Sequence, residues 1–338
     1  MTPLTTVLIV DDEPAVRDVM ARWVASLGLK PKTAANADEA LATLRTQHYD
    51  LAVIDVMMPG HDGLWLAAQL RRDHPHTAVV IATAYSELLQ EDGQDRPIAD
   101  LLVKPFPRER FALALDRGRQ WRKQALEDLR WHAELSLEIK DRTQLLCADL
   151  QRRIAAGAAD GDALAAIGAE RVPEVMAHAE RVARYAQSVA RELRIEDAVG
   201  PLEIAARFHD IGKAAMPDAL VTKPSPLTAG EAAIMRRHVD VGAEILGSVS
   251  TLSDAAPLVL ASHEWFGGGG FPLKLAADDI PIESRIIAAV DAYDVMTHDR
   301  GARGHVDSSD AINELLRCCP VQFDPRVVAA LLAVLGRH

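Results

Sequence analysis

Two groups of side chains in this 338-residue chain have the types and spacing that carry chemistry. In the second half, imidazoles and carboxylates recur as Glu174, His178, the adjacent His209 and Asp210, His238, His263, Glu264, Asp291 and Asp294, with Lys213 three residues past the pair. This mixture suits transition metals such as iron or manganese, and a carboxylate can bridge two ions where a neutral imidazole cannot. Glu174 and His178 stand four apart, so a helix puts both on one face about a turn apart, where they can share an ion. His209 and Asp210 cannot point the same way on a regular helix. Both reach one centre only near an irregular helix end, which Gly212 permits, and that oddity argues for function over packing. Taken singly, His178 or His238 reads as a hydrogen-bonded surface histidine, and Asp291 as a helix-face carboxylate paired with Arg285 or Arg300.

The other group lies in the first half. Asp11 and Asp12 follow the apolar run VLIV at 7–10, Asp55 follows LAVI at 51–54, Thr83 follows AVVIA at 78–82, and Lys104 follows LLV at 101–103. Three carboxylates converging on one edge repel unless a cation holds them, and an all-oxygen site suits Mg²⁺. One of them could then accept a phosphoryl group as a carboxylate nucleophile. The competing reading, that Asp11 and Asp12 only cap a helix starting near Pro14, accounts for two of these five positions.

These residues need elements that bring them together. The β-branched runs alternate with helical patterns, and a weaker strand is expected within residues 29–35, which predicts a doubly wound, five-stranded parallel sheet. Such a sheet places its binding crevice at the carboxyl ends of its strands. From Pro107 to about Ala156 the chain is charged and helix-favouring, with an apolar stripe of Leu126, Leu129, Ala133, Leu137, Leu145, Leu146, Leu150 and Ile154. The heptad register breaks between Leu137 and Leu145, so the helix either pairs in a homodimer or lies against its own domain. GAADGD at 157–162 ends it, and beyond residue 165 helical patterns dominate. The expected organisation is an α/β domain over 1–118, a long helical connector over 119–160 and an all-α domain over 161–338.

Composition excludes several classes. The length exceeds one hydrophobic core, which stops growing at roughly 250 residues. With 49% hydrophobic and 25% charged residues the chain has the balance of a soluble globular protein. A net charge of −12 argues against a DNA partner, whose phosphates require lysine and arginine. No apolar run approaches the ~20 residues of a membrane span, and the N-terminus lacks a signal peptide's basic start, so a cytoplasmic protein is expected. Cys147, Cys318 and Cys319 have no CxxC spacing and read as structural thiols.

The segments VDDE, IDVMMPGHDG, TAY and KPF resemble the signature segments of bacterial receiver domains of two-component response regulators. The resemblance implies that Asp55 is the phosphoacceptor and that Asp11, Asp12 and Asp55 hold Mg²⁺. It further implies that Thr83 and Lys104 contact the phosphoryl oxygens and that a sensor histidine kinase is the partner. Leu101 departs from the family pattern, which has an aromatic residue three positions before the lysine.

In the second half, RFHDIGKAAMPDALVTKPSPLT, MRRHVDVGAEIL, SHEWFGGGGFP, RIIAAVDAYDVMTHDR and QFDP follow one another as in the HD-GYP domains, which this half closely resembles. That resemblance implies two or three iron or manganese ions held by Glu174, His178, His209, Asp210, His238, His263 and Asp291, with Asp210 bridging. It implies hydrolysis of cyclic di-GMP to linear pGpG or GMP. Lys213 would stabilise charge near the scissile phosphate or donate a proton. Arg300 and Arg303 match family positions linked to substrate phosphates, and Arg285 is a further candidate because a guanidinium fork fits phosphate. The chain departs from the family at Ser262, which replaces the first of two adjacent histidines. It departs again at Gly267 and Phe271, which replace an aspartate and a tyrosine, and at Gly301 and Ala302 within the RPYR element. Four successive glycines, Gly267 to Gly270, predict a floppy loop there. Two functional readings follow: a working phosphodiesterase with an altered metal centre or nucleotide preference, or a catalytically impaired cyclic di-GMP sensor or protein-interaction module.

Overall fold

A computed structural model of the protein describes residues 5–84, 98–195, 199–298 and 306–336. Its chain divides into two compact units, 1–131 and 132–338.

The first unit is the expected doubly wound sheet. Strands β1 (Thr6–Val10), β2 (Lys30–Ala34), β3 (Leu51–Asp55), β4 (Ala78–Thr83) and β5 (Asp100–Val103) are all parallel, in the order β2-β1-β3-β4-β5. Helices α1 (Pro14–Ser26), α2 (Ala37–Thr46) and α3 (Gly63–Asp73) connect them. A parallel sheet covered on both faces needs strands without polar alternation, and β1 provides one: Val7, Leu8, Ile9 and Val10 are all fully buried. Leu8 and Val10 join Ile54 and Ile81 in the core on one face, while Val7 and Ile9 join Val53, Val80 and Phe111 on the other. Each such side chain contributes about 1.5–3 kcal/mol by leaving water. Pairing Val10 with Ile54 and Asp55 with Ala82 then sets the carboxyl ends of β1, β3 and β4 side by side.

Helix α4 (Arg108–Ala155) is continuous, and the division between the units falls within it, so the expected connector 119–160 is shared between them. Its apolar residues form two faces and not one stripe. Leu146 and Leu150 are buried in the core of the second unit with Ile139, whereas Leu137 and Leu145 are 61% and 65% exposed. The helix ends before Gly157, whose φ of +99° an L side chain rarely adopts.

The second unit is all helical among the described residues: α5 (Asp160–Arg171), α6 (Pro173–Glu192), α7 (Val199–Phe208), α8 (Asp218–Val221), α9 (Ala229–Met235), α10 (His238–Gly247), α11 (Ala256–Leu260), α12 (Ile282–Thr297), α13 (Ser308–Arg317) and α14 (Pro325–Leu335). Helix α6 packs against α7, α12 and α14, around a core that includes Val182, Phe208, Ile287 and Leu331. Its Pro173 at the first helical position costs no hydrogen bond there. No described helix is long and apolar enough to cross a membrane.

Candidate functional site

In the second unit the HD pair lies where the sequence suggested, at an irregular helix end. Helix α7 stops at Phe208, and after His209 and Asp210 the backbone tightens into a 3-10 turn, Ile211–Ala215. Gly212 is required there by close approach: a Cβ at this position would lie 1.9 Å from the carbonyl oxygen of His238. The absence of a side chain lets the start of α10 close onto the turn and brings His238 Nε2 within 3.1 Å of Asp210 Oδ1.

Three of the four imidazoles, His178, His209 and His238, have the outer nitrogen committed. His209 Nδ1 and His238 Nδ1 lie 2.8 Å from the carbonyls of Ala206 and Met235, each three residues back. His178 Nδ1 lies 2.6 Å from Asp294 Oδ2. Carbonyls only accept, so both backbone-bound rings carry a proton on Nδ1 and turn Nε2 inward, the arrangement typical of metal-ligating histidines. Inside, His178 Nε2 is 2.8 Å and His209 Nε2 3.7 Å from Asp291 Oδ1, and His238 Nε2 is 3.1 Å from His263 Nε2. The ligand atoms form two triads, His178, His209 and Asp210, and then Asp210, His238 and His263, and within each triad the atoms lie within 4.8 Å of one another. Asp210 is common to both.

The electrostatics fit a cation. Burial raises a carboxyl's pKa, yet it is outweighed at Asp210 by Lys213, His209 and His238, and at Asp291 by His178 and His209, so both are held well below the carboxylate range. Burial also opposes protonation of His209, but Asp210 and Asp291 raise it. At His263 burial wins, helped by His238, and its pKa falls to about 4, leaving a neutral ring. Among the described residues, His209 Nε2 and Asp210 Oδ1 are buried without a hydrogen-bond partner. Orphaned buried polar atoms are rare, and here two converge among inward-facing imidazole nitrogens, a donor set that suits divalent transition metals.

Of the other expected residues, Lys213 Nζ donates to Asp210 Oδ2 at 2.5 Å. Glu174 is exposed in the first turn of α6, one turn before His178, and no described hydrogen bond or ion pair joins it to the cluster. Arg285 is nearly buried, with Nη1 donating to Asp278 and Asp324 at 2.8 Å each, so its guanidinium is engaged by two carboxylates and not held open for phosphate. Arg300 and Arg303 lie outside the described residues. Ser262 is buried and its hydroxyl donates to the Val259 carbonyl at 2.8 Å.

The glycine loop is pinned, contrary to expectation. Glu264 Oε1 accepts the amides of Leu273 and Lys274 at 2.5 and 3.0 Å, while Phe266 and Gly267 donate backbone N–H bonds to Gln322 and Val321. Phe271 stacks on His263 with ring planes 6° apart, and Arg236 covers its ring at 5.4 Å. The stack needs a ring and no hydroxyl, so phenylalanine suffices. The sequence names Asp294 among the metal-suited carboxylates without a specific part for it, and gives Arg181 none. Arg181 grips both oxygens of Asp294 at 2.8 Å, and Asp294, its carboxyl lowered against burial to about 2 by His178 and Arg181, orients His178. The signal was matched spacing, His178 with Arg181 on one helix and Asp291 with Asp294 on another.

In the first unit the oxygens of Asp11, Asp12 and Asp55 lie within 4.8 Å of one another at the strand ends. Lys104 Nζ reaches Asp11 Oδ2 at 2.7 Å and Asp55 Oδ2 at 3.0 Å. Burial and the neighbouring Asp11 raise the pKa of Asp55 despite Lys104. Lys104 is itself raised, burial being outweighed by its two carboxylate partners. Thr83 is fully buried at the end of β4, and Tyr85 of the TAY segment lies outside the described residues. Asp11 also accepts the Glu13 amide at 2.9 Å, so it shapes the entry to α1 as well as facing the acidic site.

Comparison with known proteins matches residues 7–116 to the response regulator receiver domain and residues 162–327 to the HD domain. The cyclic di-GMP phosphodiesterase response regulator RpfG of Xanthomonas campestris pv. campestris is 31% identical over 96% of this chain and 86% of its own length. A cyclic di-GMP phosphodiesterase of Thermotoga maritima is 28% identical over 97% of this chain and 89% of its own. A 3'3'-cGAMP-specific phosphodiesterase of Vibrio cholerae is 36% identical over 47% of this chain and 31% of its own.

Proposed function

This chain belongs to the response regulators that join a receiver domain to an HD domain, and from that membership we propose that its HD unit hydrolyses cyclic di-GMP to pGpG, GMP or both, under control of Asp55 phosphorylation. The observation that carries the proposal is the position of Asp210 at the shared corner of two ligand triads, the first of them wholly buried. Two ions, iron or manganese, would be held there, one by His178, His209, Asp210 and Asp291 and the other by Asp210, His238 and His263, with Glu174 a turn away from His178 as a further donor. Bound divalent cations supply Lewis acidity and make water a nucleophile near neutral pH.

The chain's own residues do the rest. Hydrolysis adds a hydroxyl to phosphorus and a proton to the departing oxygen. Lys213 keeps N–H bonds to spare beyond its contact with Asp210, so it can neutralise a phosphate oxygen or protonate the leaving group. Asp294 and Arg181 fix the His178 ring, the Ala206 and Met235 carbonyls fix His209 and His238, and Phe271 covers His263. Arg300 and Arg303 belong to this reading as phosphate contacts. In the receiver, Asp11, Asp12 and Asp55 would hold Mg²⁺ while Asp55 takes a phosphoryl group from a histidine kinase, with Lys104 and Thr83 on its oxygens. The exposed Leu137 and Leu145 on α4 support a homodimer through that helix. A cytoplasmic setting belongs to the same reading and is supported by three free thiols.

The test is anaerobic purification, metal analysis and a cyclic di-GMP turnover assay beside Asp210→Ala. Metal-dependent turnover lost in the variant is expected. Equal, negligible turnover in both proteins would favour the sensor reading, for which the loss of a histidine at Ser262 is the specific support.

A further inference from the structure

Beside the candidate metal centre lies a second feature, of which the mechanism above uses only Lys213. A polar cavity of about 470 Å³ is lined by Arg142, Arg171, Lys213, Asp218 and Thr222, with Val172, Ala214 and Val221. Its volume falls in the range of small-molecule sites, roughly 300–1,000 Å³. Lys213 belongs to both places, bonded to Asp210 on one side and lining the cavity on the other.

Three cations line the cavity against one carboxylate, and they are differently employed. Arg142 is fully engaged: Nη1 donates to the Met216 carbonyl at 3.0 Å and to Asp218 at 2.8 Å, and Nη2 lies 2.8 Å from Glu138. It thereby neutralises Asp218, whose carboxyl is lowered first by Arg142 and further by Arg171. Arg171 is the unspent one. It is exposed at the last position of α5, three residues before Glu174, and makes no hydrogen bond or ion pair with another side chain among the described residues. An unengaged guanidinium on a polar cavity that an ammonium also lines, with the acid there already paired, is a receptor for a phosphate-like anion.

We propose that Arg171, in the cavity that Lys213 also lines, forms a second phosphate subsite, which holds the non-scissile phosphodiester of the cyclic dinucleotide while its other phosphodiester is attacked at the metal centre beside Lys213. A cyclic dinucleotide carries two such anions, and a site that binds only one gains little from the other half of the molecule. Arg142 acts as a positioning residue, because it holds Met216 and Asp218 at the end of the turn that carries Lys213. This inference rests on the phosphodiesterase reading.

The experiment compares two substrates on the metal-loaded full chain: cyclic di-GMP, with two phosphodiesters, and bis(p-nitrophenyl) phosphate, with one. The readout is the ratio of their kcat/KM values in wild type, Arg171→Ala and Arg171→Lys. Arg171→Ala should lower the ratio at least about tenfold, mainly through KM for the dinucleotide, in keeping with loss of one charge-assisted hydrogen-bonded contact. Arg171→Lys should recover part of it. An unchanged ratio in Arg171→Ala, with wild type active on both substrates, overturns the subsite. A wild type inactive on both, yet loaded with metal, overturns the phosphodiesterase reading and the subsite with it, which the two substrates keep distinct from failure of the subsite alone. Among the described residues Arg171 makes no side-chain hydrogen bond or ion pair whose loss could unfold the domain, and an unchanged unfolding temperature of the variant verifies that point.

Discussion

The receiver and the HD unit both gather carboxylates that lie far apart in sequence, and they do so by different physical means. In the receiver, Asp11, Asp55 and Thr83 lie at the ends of adjacent parallel strands, so hydrogen-bonded register alone places them together. One cation, Lys104, touches two of the acids. In the HD unit the ligands arrive from α6, the α7 end, α10, the segment after α11, and α12. No ladder aligns five such elements to a few tenths of an ångström. An outer layer does so instead: the Ala206 and Met235 carbonyls, Asp294 with Arg181, and the Phe271 ring. A sheet edge builds a site by topology, whereas a helical bundle has to build it by supporting bonds, and the second kind is more easily disturbed from outside its ligand set.

That difference can be tested, beginning with the largest effect. Asp55→Asn should abolish labelling by acetyl phosphate and Mg²⁺ while leaving the metal content of the HD unit unchanged; labelling that survives would remove Asp55 from its role. Asp210→Ala should lower cyclic di-GMP turnover by on the order of a thousandfold, since it removes an anion shared by both triads, and should leave receiver labelling intact. Asp294 is not among the proposed metal ligands, yet Asp294→Asn should weaken metal binding by about 10–100-fold, measured by metal titration of the apo protein. A titration like that of wild type would show that the outer layer is dispensable and would dissolve the contrast.

The smallest effect concerns pH. At Asp100 in the receiver, burial raises the carboxyl, but the Arg110 fork, the Leu101 amide and Arg117 outweigh it and hold the pKa below its usual value. A depressed carboxyl contributes stability that is complete above the unfolded value of about 3.9 and is lost as pH falls through the folded one. Receiver strands should therefore lose hydrogen-exchange protection below about pH 4, and Arg110→Ala should flatten that dependence. An identical acid profile in the variant would show that the pair does not set it.

Much of the fold was legible because its signals are local. Uninterrupted β-branched runs announce strands buried on both faces, and all five strands stand within a residue or two of the expected runs, the weak one at Lys30–Ala34 included. The break after α4 was likewise marked by glycine and aspartate. The stripe on α4 was not decided by spacing, because whether Leu137 or Leu146 meets a neighbour depends on which side the rest of the unit occupies. The glycine loop misled for a related reason: chain entropy predicts looseness, but the Glu264 carboxylate and the Val321 and Gln322 carbonyls that tether it come from elsewhere in the chain.

From the sequence alone came the residue types, the two-domain order, the pairing of acids with strand ends, and the irregular turn at His209–Asp210, since all of these follow from periodicity and local stereochemistry. Only the tertiary structure decided that Asp210 serves both triads, that Arg285 is taken up by Asp278 and Asp324, and that Arg171 faces a cavity shared with Lys213. Those are distances between side chains on different helices. A helix's own pattern records which face is buried, but it does not record what lies opposite.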